Sequence, residues 1–342
     1  MRIAVCRPQQ PFVRGGAEIF TDRLAAELRT RGHDADVVTV PFQTWPNEKL
    51  LTSGVMWRFV DLLPDGATPA DLVIATKFPS YLVEHPHKVV WLVHQFRQAY
   101  ELDGTEFGQL GDSPGDREIR ARIAAADRYA LRAARRIFAT SPNVASRLRR
   151  STGLEAEVLP HPPQELAYRC DGYGPFVLSV GRLDSMKRID LLLQAAALEP
   201  ELEAVIVGDG PDRTRLEGLR STLGLETRVR FAGRVDERAL TDLYATCRAV
   251  YYAPVDEDFG MVPYEAFLSE KPVVTTTDAG GPLDVVADRS TGLVVEPRAD
   301  ALASACRYLV EHEDDARAWG RAGRAVAEQV TWDHAIDRLL AP

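Results

Sequence analysis

Short apolar runs alternate along most of this chain with segments that place apolar residues every three or four positions. The first cycle is a strand over Arg2 to Cys6, a helix over Ala17 to Arg31 with Phe20, Leu24 and Leu28 on one face, Gly32 as its stop, and a strand over Asp36 to Val40. A strand, a helix and a second strand in that order form a parallel unit, because parallel neighbours need a long crossover. The alternation continues through strands Asp71 to Thr76 and Lys88 to Val93, a long polar loop Gln95 to Asp116, helix around Arg120 to Ala134, strand Ile137 to Thr140, and a helix opened by Ser141-Pro142. Pro160-His161-Pro162-Pro163 then forbids both helix and central strand and reads as a linker.

Beyond the linker the pattern restarts: strand Phe176 to Val180, helix Arg188 to Leu198, strand Glu203 to Val207, helix Pro211 to Leu223, strand Val229 to Ala232, helix Asp236 to Thr246 and strand Ala249 to Ala253. A long helix Ala316 to Val330 and a short one over Thr331 to Leu340 close the chain. The fold expected is α/β, with two doubly wound Rossmann-like domains, residues 1–163 and 164–325, whose C-terminal strand ends face a central cleft. Residues 326–342 form a C-terminal helix able to cross back to the first domain.

The 342 residues, 45% of them hydrophobic, can bury ample core. No apolar run reaches the length of a membrane span, and the N-terminus enters a strand without a signal peptide, so a cytoplasmic protein is expected. Cys6, Cys170, Cys247 and Cys306 are scattered and read as reduced, mostly buried thiols; His85-Pro86-His87 lacks a third ligand, so no metal is expected. The net charge of −9 is uneven: residues 1–165 carry 21 basic against 20 acidic side chains, and residues 117–150 carry ten arginines against Glu118 and Asp127. The plain reading of that stretch is two solvated helix faces. The alternative is a surface for an anionic acceptor or for lipid headgroups, which would place the protein peripherally at the inner face of a membrane. Few aromatic residues interleave the arginines, which argues against nucleic acid.

The chemistry concentrates at strand ends. Glu257-Asp258-Phe259-Gly260-Met261-Val262-Pro263-Tyr264-Glu265 sets two carboxylates around a loop that launches a helix, so the main-chain N–H groups of Gly260, Met261 and Val262 can face phosphates, with Glu265 beside a ribose. Arg182 and Lys187 follow the Phe176 to Val180 strand, where a guanidinium fork and a mobile ammonium offset the charge of a departing diphosphate. Gly15 and Gly16 open the first helix and permit close backbone approach to phosphate or sugar; their pattern departs from Gly-x-Gly-x-x-Gly, against a dinucleotide cofactor. His94 ends a strand and points the same way, and the turn Phe231 to Val235 offers main chain to a nucleobase.

Taken together, the Gly-Gly-x-Glu loop, Ser179-Val180-Gly181-Arg182-Leu183 with Lys187, Val207 to Pro211, Gly233-Arg234-Val235 and the Glu-x7-Glu block resemble a family 4 glycosyltransferase of GT-B architecture, over nearly the whole length. The resemblance implies a retaining, nucleotide-sugar-dependent, metal-independent enzyme without a cofactor. In it Arg182 and Lys187 grip the diphosphate, Glu265 binds the ribose, and Glu257 with the amides after Phe259 holds the donor sugar. It also implies that Gly16 approaches the phosphates and that His94 sits by the reacting sugar. Arg188 stands where many relatives have Gly, and Asp258 where Gly or Pro is common. The expected reaction moves a sugar from a UDP- or GDP-sugar to a hydroxyl of a glycan, a lipid-linked or a small-molecule acceptor. The rival readings are a sugar-nucleotide epimerase, an inverting GT-B transferase and a non-catalytic sugar-nucleotide-binding protein.

Overall fold

The computed structural model describes residues 1–12, 15–62 and 69–341, so the Val13-Arg14 part of the glycine loop lies outside the described residues. The chain forms two compact units, one holding Met1–His161 and the terminal helix Trp332–Leu340, the other Pro162–Thr331.

The first unit is built on β1 (Arg2–Gln9), β2 (Asp34–Pro41), β3 (Leu72–Lys77), β4 (Lys88–His94), β5 (Arg136–Ala139) and β6 (Glu157–Val158), all parallel, in the order β2-β1-β3-β4-β5-β6. Alternation along β1 splits its side chains between two cores. Ile3 and Val5 join Phe20, Leu24 and Leu28 of α1 (Gly16–Thr30), whereas Ala4 and Cys6 join α2 (Glu48–Arg58), α3 (Pro114–Arg132) and α4 (Pro142–Thr152). Helix α2 has no counterpart in the sequence expectation. Its buried face is Leu50, Ser53, Gly54 and Trp57, half of it small or polar, so no apolar period marks it. Ser141 caps α4 as expected, its Oγ accepting from the Val144 N–H at 3.1 Å.

The second unit carries β7 (Phe176–Val180), β8 (Glu203–Val207), β9 (Val229–Gly233), β10 (Ala249–Tyr251), β11 (Val273–Thr276) and β12 (Gly292–Val295), parallel and ordered β12-β11-β10-β7-β8-β9. Around them lie α5 (Ile189–Leu198), α6 (Arg213–Thr222), α7 (Glu237–Thr246), α8 (Met261–Leu268), α9 (Ala299–Glu311) and α10 (Glu313–Ala327). In each sheet the strand order reverses once, between β1 and β3 and between β7 and β10. At such a point successive connections leave in opposite directions and open a crevice beyond the strand ends.

The last helix, α11 (Trp332–Leu340), completes the first unit. Trp332, Ala335, Ile336 and Leu339 fall on one helical face and enter the core of Phe20, Leu24, Trp91 and Phe138. The Trp332 ring lies 6.4 Å from Phe20 and 6.3 Å from Trp91, and Arg338 forks the two oxygens of Glu157, each at 2.6 Å. Among the described residues no helix is long and apolar enough to cross a membrane.

Candidate active site

In the second unit the loops after β7 and β10 meet at the switch point. Lys187 ends a single 3-10 turn, Ser185–Lys187, while β10 stops at Tyr251, two residues short of the expected strand, which frees Tyr252 to turn into the loop. Lys187 Nζ donates to a Glu257 carboxylate oxygen and lies 3.3 Å from the Tyr252 hydroxyl, and that hydroxyl donates to Glu257 at 2.9 Å. Burial works against the Lys187 ammonium, but the Glu257 carboxylate outweighs it and holds the group above the ordinary lysine value. The mobile point charge expected at Lys187 is therefore corrected: its side chain is 23% exposed and is held by an acid and a phenol. Arg182 is the more exposed cation, its side chain 64% exposed with Asp184 at 3.9 Å.

The main chain of Glu257 is fixed as firmly as its side chain. Its N–H donates to Ala279 O at 2.7 Å and its carbonyl accepts from Gly281 N–H at 2.8 Å. Gly260, at φ 83°, precedes α8, whose first residues are Met261 and Val262. The Phe259 ring is buried and stacks on Tyr264 at 4.9 Å, so Phe259 can serve a ligand only through its main chain. Glu265, within α8, accepts from the Tyr244 hydroxyl at 2.8 Å with Tyr168 beside it; burial outweighs these phenols and raises its pKa. Val235, just past β9, packs its side chain into the cluster of Val207, Tyr244 and Val262. Sequence reasoning missed Tyr252, which reads as strand interior, and Asp278, which carries no motif.

In the first unit, Gly15 and Gly16 open α1 beside the strand switch. The Gly15 N–H donates to Glu18 Oε2 at 2.9 Å, and Lys77, the last residue of β3, reaches Glu18 Oε1 at 3.0 Å. Burial would raise the Glu18 pKa, but Lys77 and the Gly15 amide bring it below the ordinary range. The fourth residue of Gly-Gly-x-Glu is thus a brace between the two loops. His94, half-buried, ends β4; its Nδ1 lies 2.6 Å from Gln95 O and carries the hydrogen, since a carbonyl can only accept. His85 uses both ring nitrogens within the fold, on the His87 N–H at 3.1 Å and on Ala70 O at 3.0 Å.

The arginine-rich stretch divides by structure. Arg147 is buried against Glu101 at 3.2 Å, Arg136 lies on Glu157 at 3.3 Å and on the Phe138 ring, and Arg120 meets Asp103 at 2.5 Å. Arg117, Arg122, Arg128 and Arg132 stand exposed along α3.

Residues 169–326 match the family described as glycosyl transferases group 1. Among curated proteins, the chain is 36% identical over 168 residues to a GDP-mannose-dependent alpha-mannosyltransferase of Mycolicibacterium smegmatis, covering 48% of this chain and 42% of that protein. It is 34% identical over 176 residues to a D-inositol 3-phosphate glycosyltransferase of Mycobacterium avium, covering 48% and 40%. The matches span less than half the length of these relatives. The solved structure of sucrose-phosphate synthase from Thermosynechococcus elongatus shares the fold over 99% of this chain and 97% of that one, with a TM-score of 0.80 at 22% identity. The parallel six-stranded sheets, the switch-point loops and these likenesses agree: the chain has the GT-B fold, and its second unit, over residues 169–326, matches the group 1 glycosyl transferases.

Proposed function

We propose that the chain transfers a sugar from a nucleoside diphosphate donor, a UDP- or GDP-sugar, to a hydroxyl acceptor, with retention of anomeric configuration and without a metal ion or cofactor. The observation that carries this reading is the Lys187–Tyr252–Glu257 cluster at the switch point of the second sheet. A diphosphate is a stronger attractor for Lys187 than one carboxylate. As Lys187 turns to phosphate, Glu257 is released to accept hydrogen bonds from donor-sugar hydroxyls while Tyr252 keeps it oriented. Arg182 supplies the second cation, the first-turn amides of α8 face the phosphates, Glu265 takes the ribose, and the Val235 main chain takes the base. Gly15, Gly16 and His94, at the equivalent edge of the first sheet, are assigned to the remaining sugar and acceptor contacts.

In this mechanism the acceptor hydroxyl attacks on the face from which the diphosphate leaves, and a leaving phosphate oxygen takes its proton, so Glu257 positions and does not attack. The name of the Mycolicibacterium relative favours GDP-mannose for the first trial. The exposed arginines of α3 suit an anionic or lipid-linked acceptor and peripheral contact with a membrane. Incubation with UDP-, GDP-, ADP- and dTDP-sugars in EDTA, followed by NMR of the product, tests the reading. The same anomeric configuration in donor and product is expected. An inverted product, or turnover that only a divalent ion restores, removes it.

A further inference from the structure

Three of the four cysteines, Cys6, Cys247 and Cys306, are enclosed, and burial pushes each thiol up to about 12. Cys170 differs in two ways: it is half-buried, and Lys271 Nζ donates to its Sγ at 3.2 Å. Reactive thiols sit beside cations within reach of solvent, and Cys170 meets both conditions. The amine cannot drift away. Lys271 is fully buried, its Nζ also donates to the Gly172 carbonyl and lies 3.8 Å over the Tyr173 ring, and its own N–H donates to Ala266 O at 2.9 Å, at the end of α8. Tyr173 holds the other side, donating from its hydroxyl to Glu270 O at 2.6 Å.

We propose that Cys170 and Lys271 form a paired modification site at which hydrogen peroxide couples sulfur to nitrogen. Peroxide oxidises the thiol by two electrons; its O–O bond breaks, one oxygen stays on sulfur as sulfenic acid, and the other leaves as water. The Lys271 amine, having given its proton to water, attacks sulfur. An S–N bond forms, the S–O bond breaks, and the departing hydroxide takes one of the two hydrogens left on nitrogen, as a proton, to leave as a second water. A neighbour already at contact distance captures the sulfenic acid before a second peroxide can reach it. The link removes one positive charge and ties the segment before β7 to the end of α8. It does not rest on the proposed transferase reaction.

The full chain is treated with a small excess of hydrogen peroxide, digested without reductant and analysed by tandem mass spectrometry. The expected product is a joined Cys170–Lys271 peptide pair lighter by about 2 Da than its separate parts, released by dithiothreitol. A joined pair heavier by about 14 Da, in which a second peroxide has oxidised the already linked sulfur to a sulfinamide with the S–N bond intact, also supports the coupling. Sulfinic or sulfonic acid at Cys170 with Lys271 unmodified overturns it. So does a Cys170–Cys247 disulfide that Cys247→Ser abolishes. The wild-type peptide map decides the question even where Lys271 variants fail to fold.

Discussion

The guanidinium of Arg188 grips both oxygens of Asp278, with Nη1 to Oδ1 at 3.0 Å and Nη2 to Oδ2 at 2.6 Å. Arg188 adjoins Lys187 and sits at φ 49°, while the carbonyl of Asp278 accepts from Asp256 N–H at 2.9 Å, next to Glu257. The fork thus ties the Lys187 loop to the loop after β11, which in turn holds the main chain beside Glu257. Arg188→Ala should lower kcat/KM by about ten- to a hundredfold, and Asp278→Asn should add little to it in the double variant, because both remove one contact. Fully additive losses would show that the two side chains act separately.

Arg182 and Lys187 should fail differently. Arg182 is largely solvated, so Arg182→Ala leaves the fold intact and costs on the order of 3 kcal/mol in transition-state stabilisation, read as kcat/KM. Lys187→Ala also strands the Glu257 carboxylate, so it should lower the melting temperature as well as the rate. An Arg182→Ala enzyme with wild-type turnover would remove that residue from the diphosphate site.

Gly281 limits the geometry of the carboxylate loop. A Cβ there would lie 2.7 Å from the carbonyl oxygens of both Asp258 and Phe259, neither of which is a flexible end that can yield cheaply. Gly281→Ala should therefore displace Glu257 and lose most activity, with a stability cost of about 1–3 kcal/mol. Wild-type activity in this variant, measured beside its thermal melt, would contradict the close approach.

The strand and helix order was largely legible because buried parallel strands and amphipathic helices write their periods plainly: Phe176–Val180 and Glu203–Val207 form the strands expected of them. The local runs of β11, β12 and α9 went unread beside the carboxylate block, and the rest of what was missed depends on the third dimension. Helix α2 buries Ser53 and Gly54, with a Cβ on Gly54 only 3.0 Å from Leu82, and only the packed neighbour explains them. Lys187 and Glu257 were legible as residues but not as partners, because their pairing depends on the reversal of strand order between β7 and β10.

Trp332 makes α11 part of the first unit's core. It is 5% exposed and packs on Phe20 and Trp91. Trp332→Ala should cost about 3–5 kcal/mol, read from urea unfolding of the full chain. A loss below about 1 kcal/mol would mean the helix rests on this core only loosely.

Asp127 sets the last prediction. It is fully buried and accepts from Tyr81 at 2.9 Å, Gln95 at 3.0 Å and Tyr100 at 2.7 Å. Burial raises its pKa to about 6, and the three donors only partly oppose the rise. Between the ordinary aspartate value of 3.8 and about 6 the folded state keeps a proton that the unfolded chain releases, so this carboxyl makes stability fall as pH rises through that window. The loss amounts to about 2–3 kcal/mol and is complete above the folded pKa. Asp127→Asn removes the titration. The wild type should therefore lose stability relative to the variant as pH goes from 4 to about 7, whatever the variant's own offset. Urea unfolding of both proteins across that range measures the difference, and a difference that stays flat with pH would show that Asp127 is ionised in the folded chain throughout.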